Sequence, residues 1–174
     1  MKDGLKRASK ACAALAALAL GACGQGGPGG AGPGLADACA ELADANAAFG
    51  QTMNAEAQQP LDTMAGVCRW ESADGATYGE MIVFTPESTR NWAAQTPEAM
   101  VTREMEDWRK STFASPQTLE GVGQHALLIT DMPGGNALIA MRTETRVYYL
   151  MASAAAGGEE SAAIARRMAA ALAQ

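Results

Sequence analysis

From Gly24 to Gly34 the chain is glycine and proline interrupted only by Gln25 and Ala31. Such a stretch has no side chains to bury and resists regular structure, so it divides the sequence into two parts that must be accounted for separately. Its flexible-chain reach is on the order of 20 Å, the scale of a tether. Beyond it, the residues from Leu35 to Gln174 number about 140, enough for one ordinary domain with one core. Alanine is so abundant that the 48% hydrophobic content overstates the large side chains available, since only three Phe, three Trp and three Tyr are present. The core is expected to be thin, a situation in which a covalent staple helps.

Ahead of the tether, Lys2, Lys6, Arg7 and Lys10 precede an apolar run from Ala11 to Leu20. A basic segment followed by a short apolar one is the pattern of an export signal, removed from the mature protein. The run is far short of the roughly 20 residues a membrane-spanning helix needs, and nothing later in the chain reaches that length. It ends Leu20-Gly21-Ala22-Cys23, which resembles the lipobox of bacterial lipoproteins. There, small residues admit the peptidase and the cysteine thiol takes diacylglycerol. The resemblance implies cleavage between Ala22 and Cys23, a signal peptide at 1–22, a lipidated Cys23 opening the tether at 23–34, and a domain at 35–174. Cys12 then leaves with the signal and Cys23 carries lipid, so Cys39 and Cys68 remain as an even pair in an oxidising compartment and are expected to form a disulfide.

Of the 13 basic and 19 acidic residues, four and one lie in the first 22, which leaves 9 and 18 in the mature chain. A surface of that sign repels phosphates and anionic headgroups, which argues against nucleic acid as a partner and permits a cationic one. Membrane contact is expected through the N-terminal lipid.

Along the domain, Leu35, Cys39, Leu42, Asn46 and Phe49 share a helical stripe that Gly50 ends, which places Cys39 on a buried face. Residues Gln51 to Gly66, with weak periodicity and Pro60 inside, read as a loop with room for a short helix. Val67 to Glu71 and Thr77 to Thr85 read as strands about a Ser72–Gly75 turn, with Cys68 and Trp70 on one face. A short helical turn is expected within Glu87 to Ala94. Thr96 and Pro97 are a helix-start signal for a segment through about Thr112 with Val101, Met105 and Trp108 inward. Three β-rich runs follow, His125 to Asp131, Asn136 to Thr143 and Thr145 to Ser153. Glu159 to Ala173 then returns as a helix with Ile164, Met168 and Leu172 inward. This order predicts an α+β fold: a mostly antiparallel sheet of about five strands, helices packed on one face, and one disulfide.

Cys39 with Leu42, Gly50, Cys68-Arg69-Trp70, Gly121-Val122-Gly123 leading to Ala126, and the alanine-rich last helix together resemble small secreted lipoproteins, best known from actinobacteria, that carry a domain of unknown function. The interval from Cys39 to Gly50 is shorter than usual in that group, and Glu41-Leu42-Ala43 departs from its Leu-Leu-Thr. The resemblance implies fold, disulfide and location, and it carries no activity with it.

Candidate chemistry is sparse. His125 is the only histidine, which deprives the common zinc and copper sites of their ligand set. Ser115, His125 and Asp131 are the components of a conceivable hydrolase, but no Gly-x-Ser-x-Gly elbow is present. The ten methionines are dispersed, and Met81, Met105, Met141, Met151 and Met168 fall in predicted elements where core packing accounts for them. Glu104, Glu106 and Asp107 suit a solvated helix face better than a hard-cation site. Gly121-x-Gly123 alone is too short to be a phosphate loop. No cofactor or metal is expected. The functional expectation is a non-enzymatic binding or accessory module displayed from a membrane, engaging an envelope protein or a small ligand. The alternatives are an envelope immunity or assembly factor that masks a cationic partner, and a small hydrolase. Gly24 after the lipidated cysteine implies sorting to the outer membrane in a Gram-negative host, and otherwise retention on the outer face of the cell membrane.

Overall fold

The computed structural model describes residues 37–61, 64–89, 92–112 and 115–174. The segment read as an export signal, with Ala22 and Cys23, and the expected tether lie outside them. The first elements are two short turns of helix where a continuous helix from Leu35 is the expectation. Ala38–Glu41 is a 3₁₀ turn and Ala45–Phe49 a single α turn, α1. The break has a local cause: the Asp37 carboxylate accepts from the Cys39 N–H and the Asp44 carboxylate from the Ala47 N–H. Each aspartate starts its own cap, and Leu42 between them leaves helical geometry. Gly50, at φ 70°, closes α1 in the left-handed conformation that glycine adopts freely.

The segment expected to be a loop contains a strand, β1 (Met53–Gln58). It pairs antiparallel with β2 (Gly66–Ser72), from Met53 opposite Ser72 to Gln58 opposite Val67. As an edge strand it buries Met53 and leaves Asn54 to Ala57 exposed, so it carries no alternation to read. β2 and β3 (Thr77–Phe84) form the expected hairpin. The Ser72 hydroxyl donates to Asp74 at 2.7 Å and accepts from the Thr77 N–H at 2.9 Å, while Asp74 also accepts from the Ala76 N–H. A 3₁₀ turn at Trp92–Ala94 leads to α2 (Pro97–Thr112), whose Ala99 N–H donates to the Thr96 hydroxyl, the cap read from sequence. A two-residue strand, β4 (Gln117–Thr118), precedes the meander β5 (His125–Met132), β6 (Asn136–Arg142) and β7 (Val147–Ala154), and α3 (Gly158–Leu172) ends the domain.

The sheet has seven strands, not about five, in the order β1-β2-β3-β7-β6-β5-β4, and every pairing is antiparallel. The two additional strands are its edges. The hairpin and the meander join through β3 and β7, with Thr77 opposite Ala154 and Phe84 opposite Val147. On one face Trp70, Met81, Ile139, Met141 and Leu150 pack with Phe49, Ile164 and Met168 in the main core. Trp70 lies 5.9 Å from the Phe49 ring. Arg167 of α3 donates from Nε to the Ala48 carbonyl at 2.6 Å, tying α1 to α3. Cys39 is joined by a disulfide to the fully buried Cys68, a separation of 29 residues.

The expectation that the helices share one face is corrected. α2 lies on the opposite face, where Val101 and Met105 pack against Leu127, Ile129, Leu138 and Ala140 in a second cluster. Side chains alternate along a strand, so β5 and β6 supply both clusters from neighbouring positions: Leu128 and Ile139 to one, Leu127 and Leu138 to the other. Among the described residues no helix is long and apolar enough to cross a membrane.

Candidate functional site

The second face of the sheet is covered only in part. The packing of α2 falls on β5 and β6, while the same face carries half-exposed Tyr78, Glu80, Ile82 and Phe84 on β3 and Tyr149 and Met151 on β7, and exposed Arg69 and Glu71 on β2. The register places Ile82 opposite Tyr149 and Glu80 opposite Met151. Phe84 and Tyr149 meet edge to face, 5.1 Å between centroids at 66°. Beside them, Arg69 Nε donates to Glu80 Oε2 at 2.6 Å, and the Tyr78 hydroxyl donates to the same oxygen at 2.9 Å. Burial first, and then that hydrogen bond to Glu80, push the Tyr78 hydroxyl up to about 12. The open half is thus an apolar and aromatic strip bordered by one tied ionic group, the composition of a protein-contact surface with a polar rim.

At the covered edge of that face, Arg142 is 8% exposed. It lies across the ladder from Val147, itself paired with Phe84, and on its other side from His125. Its Nη1 donates to the Gln95 carbonyl at 3.0 Å and meets the Met100 sulfur at 2.7 Å, and its guanidinium carbon stands 4.6 Å from the centre of the Trp92 ring. These contacts fix the start of α2 to the sheet. The Gly121–Gly123 turn supports the site from behind, because Gly123 has φ 59° and a Cβ there would run into the Arg142 carbonyl oxygen. Those glycines therefore serve a tight turn into a strand, with no helix behind them to hold a phosphate.

On the main-core side, Gln117, Thr130, Gly158, Glu159, Ala162 and Arg166 line an open groove of about 460 Å³ at the start of α3. Glu159 and Arg166 set opposite charges on its wall, so its electrostatics select no one sign of ligand.

Of the residues singled out by sequence, Cys39 and Cys68 are joined under the β2–β3 hairpin, while Ala22 and Cys23 lie outside the described residues. His125 and Asp131 stand near opposite ends of β5, separated along the strand by about 20 Å at the usual rise; the Asp131 side chain lies outside the described residues. Ser115 is exposed ahead of β4. Met81, Met105, Met141 and Met168 are buried in the two cores. Glu106 is exposed on α2, and the side chains of Glu104, Asp107 and Trp108 lie outside the described residues. Among the described residues, no three His, Cys, Asp or Glu side chains gather to hold a metal ion. Sequence pattern does not single out Arg142, which reads as an ordinary polar end to an apolar strand. A signal for the partial cover was present: Ala126 to Ile129 and Ala137 to Met141 are continuous apolar runs, the pattern of strands buried on both faces. No family model, curated protein or solved structure matches this chain.

Proposed function

We propose that this chain is an extracytoplasmic lipoprotein, held to a membrane through Cys23, that works as a non-enzymatic binding or accessory module and engages an envelope protein over the open half of its sheet. The observation that carries this reading is the half-exposed strip of Ile82, Phe84, Tyr149 and Met151 beside the Arg69–Glu80 pair, on a face that α2 covers only over β5 and β6. Aromatic side chains in a partly desolvated strip supply contact area at small conformational cost. The export pattern, the lipobox resemblance and the glycine–proline tether support the location. So does the likeness to small actinobacterial lipoproteins.

A photocrosslinking residue in place of Phe84, compared with one at exposed Glu106 on α2, tests the face. Crosslinks to one envelope protein from position 84 and not from 106 support it; equal yields from both positions refute it. Cys23→Ser tests the anchor, with release into the soluble fraction expected and continued membrane retention contradicting lipidation. A second reading, an immunity or assembly factor that masks a cationic protein, is favoured by the 18 acidic against 9 basic residues of the mature chain. It predicts a complex that weakens steeply with salt, where the apolar strip alone predicts little dependence. A hydrolase is not proposed, since His125 and Asp131 stand at the two ends of one strand.

A further inference from the structure

We propose that Arg142, together with the first turn of α2, is a binding site for a small carboxylate, seated against the Nε side of the guanidinium. This does not rest on the protein-binding role of the open face. An arginine cannot shed its charge at any ordinary pH, so a buried one requires an anion or a full set of acceptors. Arg142 is 92% buried by its 8% exposure and, among the described residues, has neither. Both of its polar contacts leave from Nη1 and end on neutral groups, the Gln95 carbonyl and the Met100 sulfur. Its Nε is buried and donates to no acceptor. The ion pairs Arg69 with Glu80, Arg146 with Glu41 and Arg167 with Glu160 leave Arg142 out.

The surroundings add positive potential. Gln95 immediately precedes the helix cap at Thr96, and Met100 stands in the first turn of α2, so the guanidinium sits where the helix presents its positive end. Glu98 in that turn is exposed and makes no ion pair with Arg142. The half-buried Trp92 ring lies over the guanidinium, 4.6 Å from its carbon to the ring centre. A guanidinium whose Nη1 is occupied and whose Nε is not offers its side-on edge, and a planar carboxylate matches that edge with two parallel hydrogen bonds. A spherical halide has no such match.

The test follows the Arg142 Nε–H resonance and the protein's tryptophan fluorescence while the mature chain is titrated with sodium acetate, against sodium chloride at equal ionic strength. A saturable shift of the Nε–H signal with acetate and not with chloride is expected. Arg142→Lys keeps the charge and loses the fork, and should weaken acetate binding about ten- to a hundred-fold, the range of a charged hydrogen bond. Trp92→Phe should abolish the acetate-dependent fluorescence change while the Nε–H shift persists. If acetate and chloride act alike, or Nε–H stays unmoved because water alone satisfies it, the proposal is overturned. Unchanged affinity in Arg142→Lys also overturns it. Should the lysine variant unfold, the acetate-against-chloride comparison on the unaltered chain decides alone.

Discussion

Gly79 lies in β3 beneath the ring of Phe49, and its missing side chain is what lets α1 close on the sheet. A Cβ built there would collide with the Phe49 ring tip, Cζ, and stand 2.7 Å from Cε1. Phe49 is itself buried, with Trp70 at its flank, so the ring cannot simply swing into water. Two effects oppose each other in Gly79→Ala. Replacing a strand glycine lowers the entropy lost on folding, a gain of about 0.5–1 kcal/mol. Forcing a methyl into a packed contact costs about 1–3 kcal/mol. Overpacking is the larger, so the variant should lose about 1–2 kcal/mol, which with a urea slope of about 1–2 kcal/mol/M moves the midpoint down by roughly 1 M.

The decisive form is a double-mutant cycle with Phe49→Leu. Leucine lacks both ring atoms that the new methyl meets, so in that background only the entropic gain remains and Gly79→Ala should become neutral or stabilising. Coupling of about 1 kcal/mol or more is expected, well above the 0.3–0.5 kcal/mol scatter of independent sites. Urea unfolding of the four proteins, followed by tryptophan fluorescence, measures it. Additive effects, or a stabilised Gly79→Ala in the Phe49 background, would refute the packing of α1 on β3.

Removing both disulfide cysteines, Cys39→Ala with Cys68→Ala, should cost about 3–4 kcal/mol, the loop-closure entropy for the 29-residue separation. Thermal unfolding of that variant beside the oxidised chain checks it, and a loss under about 1 kcal/mol would mean the unfolded chain gains little from the crosslink. Alkaline titration at 295 nm should show Tyr78 ionising late, near 12, because burial and its hydrogen bond to Glu80 hold the proton. Tyr148 should follow later still, raised by burial and by its hydrogen bond to Glu41 at 2.8 Å. Both groups keep their protons longer folded than unfolded, so their contribution to stability is whole below about pH 10, the unfolded value. It falls as the pH rises toward 12; a fold equally stable at both ends of that window would contradict the burial of both hydroxyls.

The elements legible in the sequence are those whose side chains are sorted by burial. In β2 and β3, Cys68, Trp70, Met81 and Val83 alternate with less buried neighbours, and in α2 and α3 the inward residues Val101, Met105, Ile164, Met168 and Leu172 fall at helical spacing. The illegible ones lack that sorting. β1 exposes four consecutive residues, β4 has only two, and the helix expected from Leu35 breaks because two aspartates each cap a separate turn. In all three cases hydrogen bonds, which periodicity does not report, decide the local structure.

The placement of α2 shows a different gap. Amphipathicity says that a helix buries one side, not which face of a sheet receives it. That information lay in the strands: β5 and β6 are apolar at successive positions, whereas in β3 Tyr78, Glu80, Ile82 and Phe84 stay half-exposed between buried neighbours. The change from doubly buried to singly buried strands runs across the sheet between β6 and β3, with β7 at the border. The features that distinguish this domain gather there. Tyr149 and Met151 of β7 touch the α2 cluster from beside the open strip, and Arg142 at the end of β6 anchors the start of α2. A helix that covered the whole face would have buried Phe84 and Tyr149 and left no open apolar strip. Its partial cover follows from where apolar pairs stop in the strands, so the same pattern that stabilises α2 also sets the limits of the open face.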